Sequence, residues 1–144
     1  MRLLLLTLLP FLFLACQPKQ LGGDKSSAMA TLPIPSAWDL VSCEIDGKMV
    51  PAANDKAFVA IRTSEIGGHT GCNAFGGEWS GKPAKMKVPG VMSTKMYCAD
   101  CAEQERTILD VFNGTVSAAV DGKMLTLTGA AGKLQLRRND ARLK

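Results

Sequence analysis

Apolar and polar residues alternate with a period of two over several short stretches of this chain, and with a helical period over only one. Trp38 to Cys43 is predicted as a first strand and is followed by a turn at Asp46-Gly47; Ala57 to Arg62, rich in β-forming residues, is a second. Gly67, Gly68 and Gly71 crowd the approach to Cys72, where the backbone is expected to bend or pack closely. Glu78 to Ser80 and Ala84 to Val88 read as a strand pair separated by Gly81 to Pro83. Thr115 to Val120 and Lys123 to Thr128 flank Asp121-Gly122, a dipeptide suited to a two-residue type I′ turn. A last strand, Lys133 to Arg137, follows the Gly-Ala-Ala-Gly loop.

From Ala99 to Phe112 there is neither Gly nor Pro, and Cys101, Glu105, Ile108, Leu109 and Phe112 fall near one helical stripe that Asn113-Gly114 can stop. Many short antiparallel strands with one helix predict a mainly β (α+β) domain, a small curled antiparallel sheet or partial barrel that the helix closes. Trp38, Phe58, Phe75, Trp79 and Phe112 are expected in its core, because so small a domain needs its large apolar side chains inside.

The N-terminus has a different pattern. Met1-Arg2 precedes an apolar run from Leu3 to Ala15 interrupted only by Thr7 and Pro10, the make-up of an export signal. Crossing ~30 Å of hydrocarbon needs ~20 apolar residues, and this run stops at Cys16 before Gln17, Pro18 and Lys19. Phe13-Leu14-Ala15-Cys16 resembles the bacterial lipobox. The resemblance implies that residues 1–15 are removed, that the Cys16 thiol carries a diacylglycerol, and that the new amine is open to a further acyl chain such as palmitate. Two or three chains, at ~0.8 kcal/mol per buried methylene, anchor a protein to a membrane stably. A residue other than Asp after the lipidated cysteine, here Gln17, resembles an outer-membrane address, so the expected location is the cell envelope, on the outer membrane facing the periplasm. Residues 16–35, with Gly22, Gly23, Ser26, Ser27, Pro33 and Pro35, read as the lipidated N-terminus and a tether. The domain is expected over 36–138, with 139–144 as a tail.

Charge adds little. Loss of Arg2 with the signal leaves 16 Lys plus Arg against 13 Asp plus Glu, a side-chain sum of +3. Lys85 and Lys87 flank Met86 as the solvated face of a strand would, and neither the dispersed basic residues nor export points to a nucleic-acid partner. Cysteine usage says more. With Cys16 taken by lipid, Cys43, Cys72, Cys98 and Cys101 remain, an even number in a compartment that permits disulfides. Two bridges are expected, and spacing does not choose among the three possible pairings.

The stretch Gly68-His69-Thr70-Gly71-Cys72-Asn73-Ala74-Phe75-Gly76-Gly77-Glu78-Trp79 resembles the signature of the META domain (HslJ-like) family. Met92-Ser93-Thr94-Lys95-Met96-Tyr97-Cys98 resembles that family's Thr-x-Met-x-Cys segment, which precedes a helix carrying an acidic residue, here Glu103 or Glu105. Trp38 and Leu40 resemble its opening strand, and Leu125-Thr126-Leu127 with Gly132-Lys133-Leu134 its closing hairpin. The motif residues are thus Gly71, Cys72, Asn73, Thr94, Met96 and Cys98. The resemblance implies a mainly antiparallel sheet wound toward a barrel, a link to heat stress and novobiocin tolerance, and no defined reaction. It also implies a Cys72–Cys98 bridge, which would stabilise by ~3 to 4 kcal/mol on the chain-entropy model. Cys43 and Cys101 lie outside the motif and are expected to form a second bridge, from the first strand to the helix.

Enzymatic alternatives rest on few residues. Cys98-Ala-Asp-Cys101 has the spacing of a redox pair, and a helix N-terminus would lower the first thiol's pKa, but the surroundings are not the βαβ pattern of a thioredoxin-like protein. A zinc set drawn from Cys43, Cys72, Cys98, Cys101 and His69 lacks a second Cys-x-x-Cys, so neither metal nor cofactor is expected. His69, the one histidine, stands three residues from Cys72, and on a regular strand the two would point to opposite faces. No carboxylate pair is brought together by spacing, and no catalytic residue is assigned. The expectation is a non-catalytic, lipid-anchored envelope module whose partners are the membrane through Cys16 and a small apolar ligand or an envelope protein. The enzyme alternative is a thiol–disulfide oxidoreductase using Cys98 and Cys101.

Overall fold

The computed structural model describes residues 31–144, so the expected export signal and the expected lipidation site, Cys16, lie outside the described residues. Among the described residues eleven strands follow one another: β1 (Ser36–Ile45), β2 (Lys48–Pro51), β3 (Phe58–Ile61), β4 (Glu65–His69), β5 (Ala74–Glu78), β6 (Ser80–Lys82), β7 (Lys85–Val88), β8 (Met92–Ser93), β9 (Gly114–Asp121), β10 (Met124–Gly129) and β11 (Gly132–Arg138). They form one antiparallel sheet in the order β6-β7-β9-β10-β11-β1-β3-β4-β5-β8, with β2 also paired to β1. The sheet curls into a half-barrel. Its helix, α1 (Ala102–Val111), is preceded by a 3₁₀ turn at Ala99–Cys101 and packs on β1, β10 and β11. This is the mainly β, single-helix architecture that the periodicity predicts.

Alternation decides which way each strand faces. Met86 and Val88 of β7, Val116 and Val120 of β9, Leu125 and Leu127 of β10, and Leu134 and Leu136 of β11 are all buried, while Lys85, Lys87, Lys133 and Arg137 between them are exposed. Each such side chain contributes roughly 1.5–3 kcal/mol of transfer free energy, an upper estimate against a compact unfolded chain. Trp38 is fully buried and its indole N–H donates to Ser36 Oγ at 2.8 Å. Phe112, just past α1, stacks on Phe75 of β5 with ring centroids 5.6 Å apart, fastening helix to sheet. The buried face of the helix runs through Cys101, Gln104, Thr107, Ile108, Val111 and Phe112, so Glu105 and Leu109 of the expected stripe sit at its half-buried margin. Phe58 is half-buried beneath the Arg142 guanidinium, 5.1 Å from its ring.

The structure departs from the expected elements in places. β4 and β5 form in the glycine-rich stretch not predicted as strand, the expected Glu78–Ser80 strand is divided between the end of β5 and the start of β6, and β2 and β8 are additions too. Lys82 pairs with Lys85, so the β6–β7 loop is Pro83-Ala84 rather than Gly81 to Pro83. Asp121 pairs with Met124, which shifts the β9–β10 turn by one residue to Gly122-Lys123, with only Gly122 at positive φ (57°). A single positive φ at the first turn position is incompatible with type I′, which needs two. Packing also reaches beyond the expected limits of the domain. Leu32 is buried in the core and Ile34 lies against it, and Arg142, in a 3₁₀ turn at Asp140–Leu143, ion-pairs with Asp39 at 2.9 Å.

Candidate functional site

The motif residues converge where the β4–β5 turn meets the start of α1. Thr70 and Asn73 close the turn: Thr70 N donates to the Asn73 carbonyl at 2.8 Å, and Asn73 N to Thr70 Oγ1 at 2.9 Å. Gly71, at φ 104°, sits at its tip, where a Cβ would fall 2.8 Å from Gln104 Nε2. The left-handed backbone therefore favours glycine there, and a side chain would also have to displace the ends of Gln104 and Asn54. Gln104 spans the gap, donating to the Thr70 carbonyl at 2.6 Å and accepting from Ala53 N at 2.8 Å.

Asn73 is the hub. Its Nδ2 donates to both Glu105 oxygens, at 3.0 and 2.8 Å, and to the Met96 carbonyl at 2.9 Å. Its Oδ1 accepts from Thr94 Oγ1 at 2.8 Å and from Met96 N at 2.7 Å. The Thr70 hydroxyl donates to Glu105 Oε2 at 2.6 Å. Among the described residues no buried side-chain polar atom is left without a partner. A satisfied network of this kind fixes one arrangement of the segments it joins. Of the two candidate acidic residues, Glu105 is the one engaged; Glu103 lines a separate cleft with Cys43, Asp100 and Gln104.

The Cys72–Cys98 disulfide is present, with Cα atoms 5.9 Å apart, and ties the turn to the entrance of the helix. The expected Cys43–Cys101 bridge is not. Both are free and buried, at 0% and 4% exposure. The Cys101 sulfur lies within 4.8 Å of the Cys72 and Cys98 sulfurs and 3.9 Å from the Cys98 carbonyl oxygen, and Cys43 is not of that group. Burial pushes the Cys43 thiol up from its ordinary value. Burial, then Glu105 and Asp100, push the Cys101 thiol up, with Lys56 opposing them. His69 Nδ1 accepts from Gly71 N at 3.1 Å, and Cys72, held in the bridge, offers it no thiol to activate. Two of the three clustered sulfurs are bonded to each other, so the cluster as it stands does not fit the thiolate donors a zinc ion needs.

Beside the hub lies a cleft of about 300 Å³ lined by the Cys72–Cys98 bridge, Met96, Tyr97, Ala102, Leu109 and the charged Glu105, Arg106 and Asp110. Met96 and Tyr97 are 62% and 89% exposed, although the Met96 backbone is clamped by Asn73 on both its N–H and its carbonyl. Gln104 was missed from the sequence, and Thr70 and Tyr97, though within the motif stretches, were not singled out.

A META domain family model matches residues 30–141, most of the chain and all of the hub. The chain belongs to the META domain family. This META domain matches no curated protein. It is similar to a solved NMR structure with a TM-score of 0.58 and 24% identity, over 75% of this chain and 91% of that one. It is also similar to the NMR structure of a protein from Burkholderia xenovorans, with a TM-score of 0.57 and 22% identity over 74% and 83% of the two chains. At these identities the likeness is one of fold.

Proposed function

We propose that this META domain is a non-catalytic binding module, held at the cell envelope by lipid on Cys16, whose cleft takes a small amphipathic ligand. The observation that carries the reading is the pairing of exposed Met96 and Tyr97 with a backbone that Asn73 holds in one conformation beside a 300 Å³ cleft. An aromatic ring and a polarizable thioether carried on a fixed backbone offer apolar contact, and only their side chains remain to be ordered on binding. Arg106 and Asp110 at the rim give a polar end of the ligand something to pair with. The anchor rests on the Leu3–Cys16 pattern, and a role under heat stress or novobiocin on family resemblance. The oxidoreductase alternative has less support, since Cys98 is paired with Cys72 and not with Cys101.

Titration of the mature protein with the apolar anion 1-anilinonaphthalene-8-sulfonate tests the cleft. Saturable fluorescence is expected, weakened about tenfold or more by Met96→Ser with Tyr97→Ser, with unchanged circular dichroism. Absence of saturation, or indifference to both substitutions, overturns the reading. Labelling of the full-length chain with radioactive palmitate tests the anchor: Cys16→Ser should abolish it.

A further inference from the structure

Three sulfur atoms meet at the entrance to α1, and two of them are enough to explain the fold. The bridge joins Cys72 to Cys98, and the third sulfur, of Cys101, lies within 4.8 Å of both, at most about an ångström beyond van der Waals contact. A thiol beside a disulfide is the arrangement from which exchange proceeds, by attack of a thiolate along the sulfur–sulfur bond.

We propose that Cys72, Cys98 and Cys101 form an internal thiol–disulfide exchange site, in which Cys101 displaces Cys72 from Cys98 and delivers a free Cys72 thiol to the wall of the cleft. The Cys101 thiol gives its proton to solvent, and its sulfur bonds to Cys98 Sγ. The Cys72–Cys98 bond breaks, its electron pair leaves on the Cys72 sulfur, and that sulfur takes a proton from solvent. One disulfide and one thiol are present before and after, so no oxidant or reductant is needed.

Two details of the geometry fit this direction. Cys101 is held against the main chain of Cys98, the residue it attacks, with its sulfur 3.9 Å from that carbonyl oxygen. Cys72 Sγ lies 3.5 Å from the Met96 carbonyl oxygen, so the released thiol has an acceptor in place. The outcome is a change of address for the reactive group. Cys101 is buried away from the cleft, whereas Cys72 lines it beside Met96, so exchange arms the cleft with a thiol able to form a mixed disulfide with a thiol or disulfide partner. The charged groups facing Cys101 are Glu105 and Asp100, from the helix and the turn before it, and Lys56, from the β2–β3 connection. Burial and the two carboxylates keep the thiol protonated at neutral pH, so exchange is slow there and quickens as pH rises.

The test is a time course of N-ethylmaleimide labelling of the mature, folded protein without reductant, quenched in acid and mapped by mass spectrometry of unreduced peptides. Alkylation traps Cys72 as it is released. The expected product carries the label on Cys72 with Cys98 joined to Cys101, and forms about tenfold faster per pH unit from about pH 6 to about pH 8, following the thiolate fraction. Cys101→Ala should abolish it and Cys43→Ala leave it unchanged. Label confined to Cys43 and Cys101 in the wild type, with Cys72–Cys98 intact, overturns the proposal. So does a Cys72–Cys101 bridge, or Cys72 labelling that survives Cys101→Ala.

Discussion

Asn73 and Glu105, 32 residues apart in the chain, meet side chain to side chain, one amide nitrogen reaching both carboxylate oxygens at 3.0 and 2.8 Å. Asn73→Ala removes the donor to a carboxylate and the acceptor for Met96 N and Thr94 at once, and should destabilise the domain by about 2–4 kcal/mol in urea unfolding. A double-mutant cycle with Glu105→Gln should return a coupling of about 1–3 kcal/mol. Additivity within a few tenths would show that the contact is incidental.

The bridge and the free thiols should differ sharply in what they contribute. Cys72→Ala opens a loop of 26 residues' separation, and Cys98 and Cys101, if joined instead, close one too short to replace it. A loss of about 3–4 kcal/mol is expected from chain entropy. Cys43→Ala removes only a small buried group and should cost under about 2 kcal/mol. Chemical denaturation of both variants, side by side, checks the order.

Gly68 lies opposite Val59 in the β3–β4 pairing at φ 155°, and a Cβ there would collide with the Phe58 carbonyl oxygen. That oxygen belongs to the backbone and has little room to yield. Gly68→Ala should therefore cost about 3 kcal/mol or more, whereas Gly122→Asn, at a left-handed position in open space, should cost under about 1 kcal/mol. Comparable thermal midpoints for the two variants would contradict this.

Asp140 accepts from Ala37 N at 3.2 Å and from Arg138 Nε at 2.8 Å. The Ala37 amide first, then the Arg138 guanidinium, hold its carboxyl below its ordinary value of 3.8. A depressed carboxyl stabilises the fold above that value and ceases to as pH falls through the lower, folded-state one. Urea midpoints measured from about pH 6 down to about pH 2 should fall less steeply below about pH 4 in Asp140→Asn than in the wild type. The difference should be small, because the pair is exposed.

Where burial follows a simple period, the fold was legible from sequence: β7, β9, β10 and β11 alternate cleanly, and α1 sits where neither Gly nor Pro interrupts. β4 was hidden because Gly67 and Gly68 carry no side chain to mark a face, and it exists because β3 and β5 approach from both sides. Leu32 was hidden among prolines. The family motif located Asn73, Thr94, Met96 and the true bridge, but Glu103 and Glu105 are equivalent on paper until the helix phase is known. The Cys43–Cys101 pairing failed for a like reason: a place at the entrance to the helix says nothing about where the Cys101 sulfur goes, and it lies against the Cys98 carbonyl and beside the Cys72–Cys98 bridge.

The half-barrel leaves its sheet with free margins, and these are its stubs: β6 has three residues, β8 two, and β2, four residues long, ends in Pro51. A long bare strand invites the backbone of another molecule to add itself, the first step of fibrous aggregation. Stubs of this length offer too few open N–H and C=O groups to template that growth. Among the described residues the sheet is thus left open without a long bare edge, and a substitution that lengthened β8 toward Thr94 is expected to raise the share of insoluble protein.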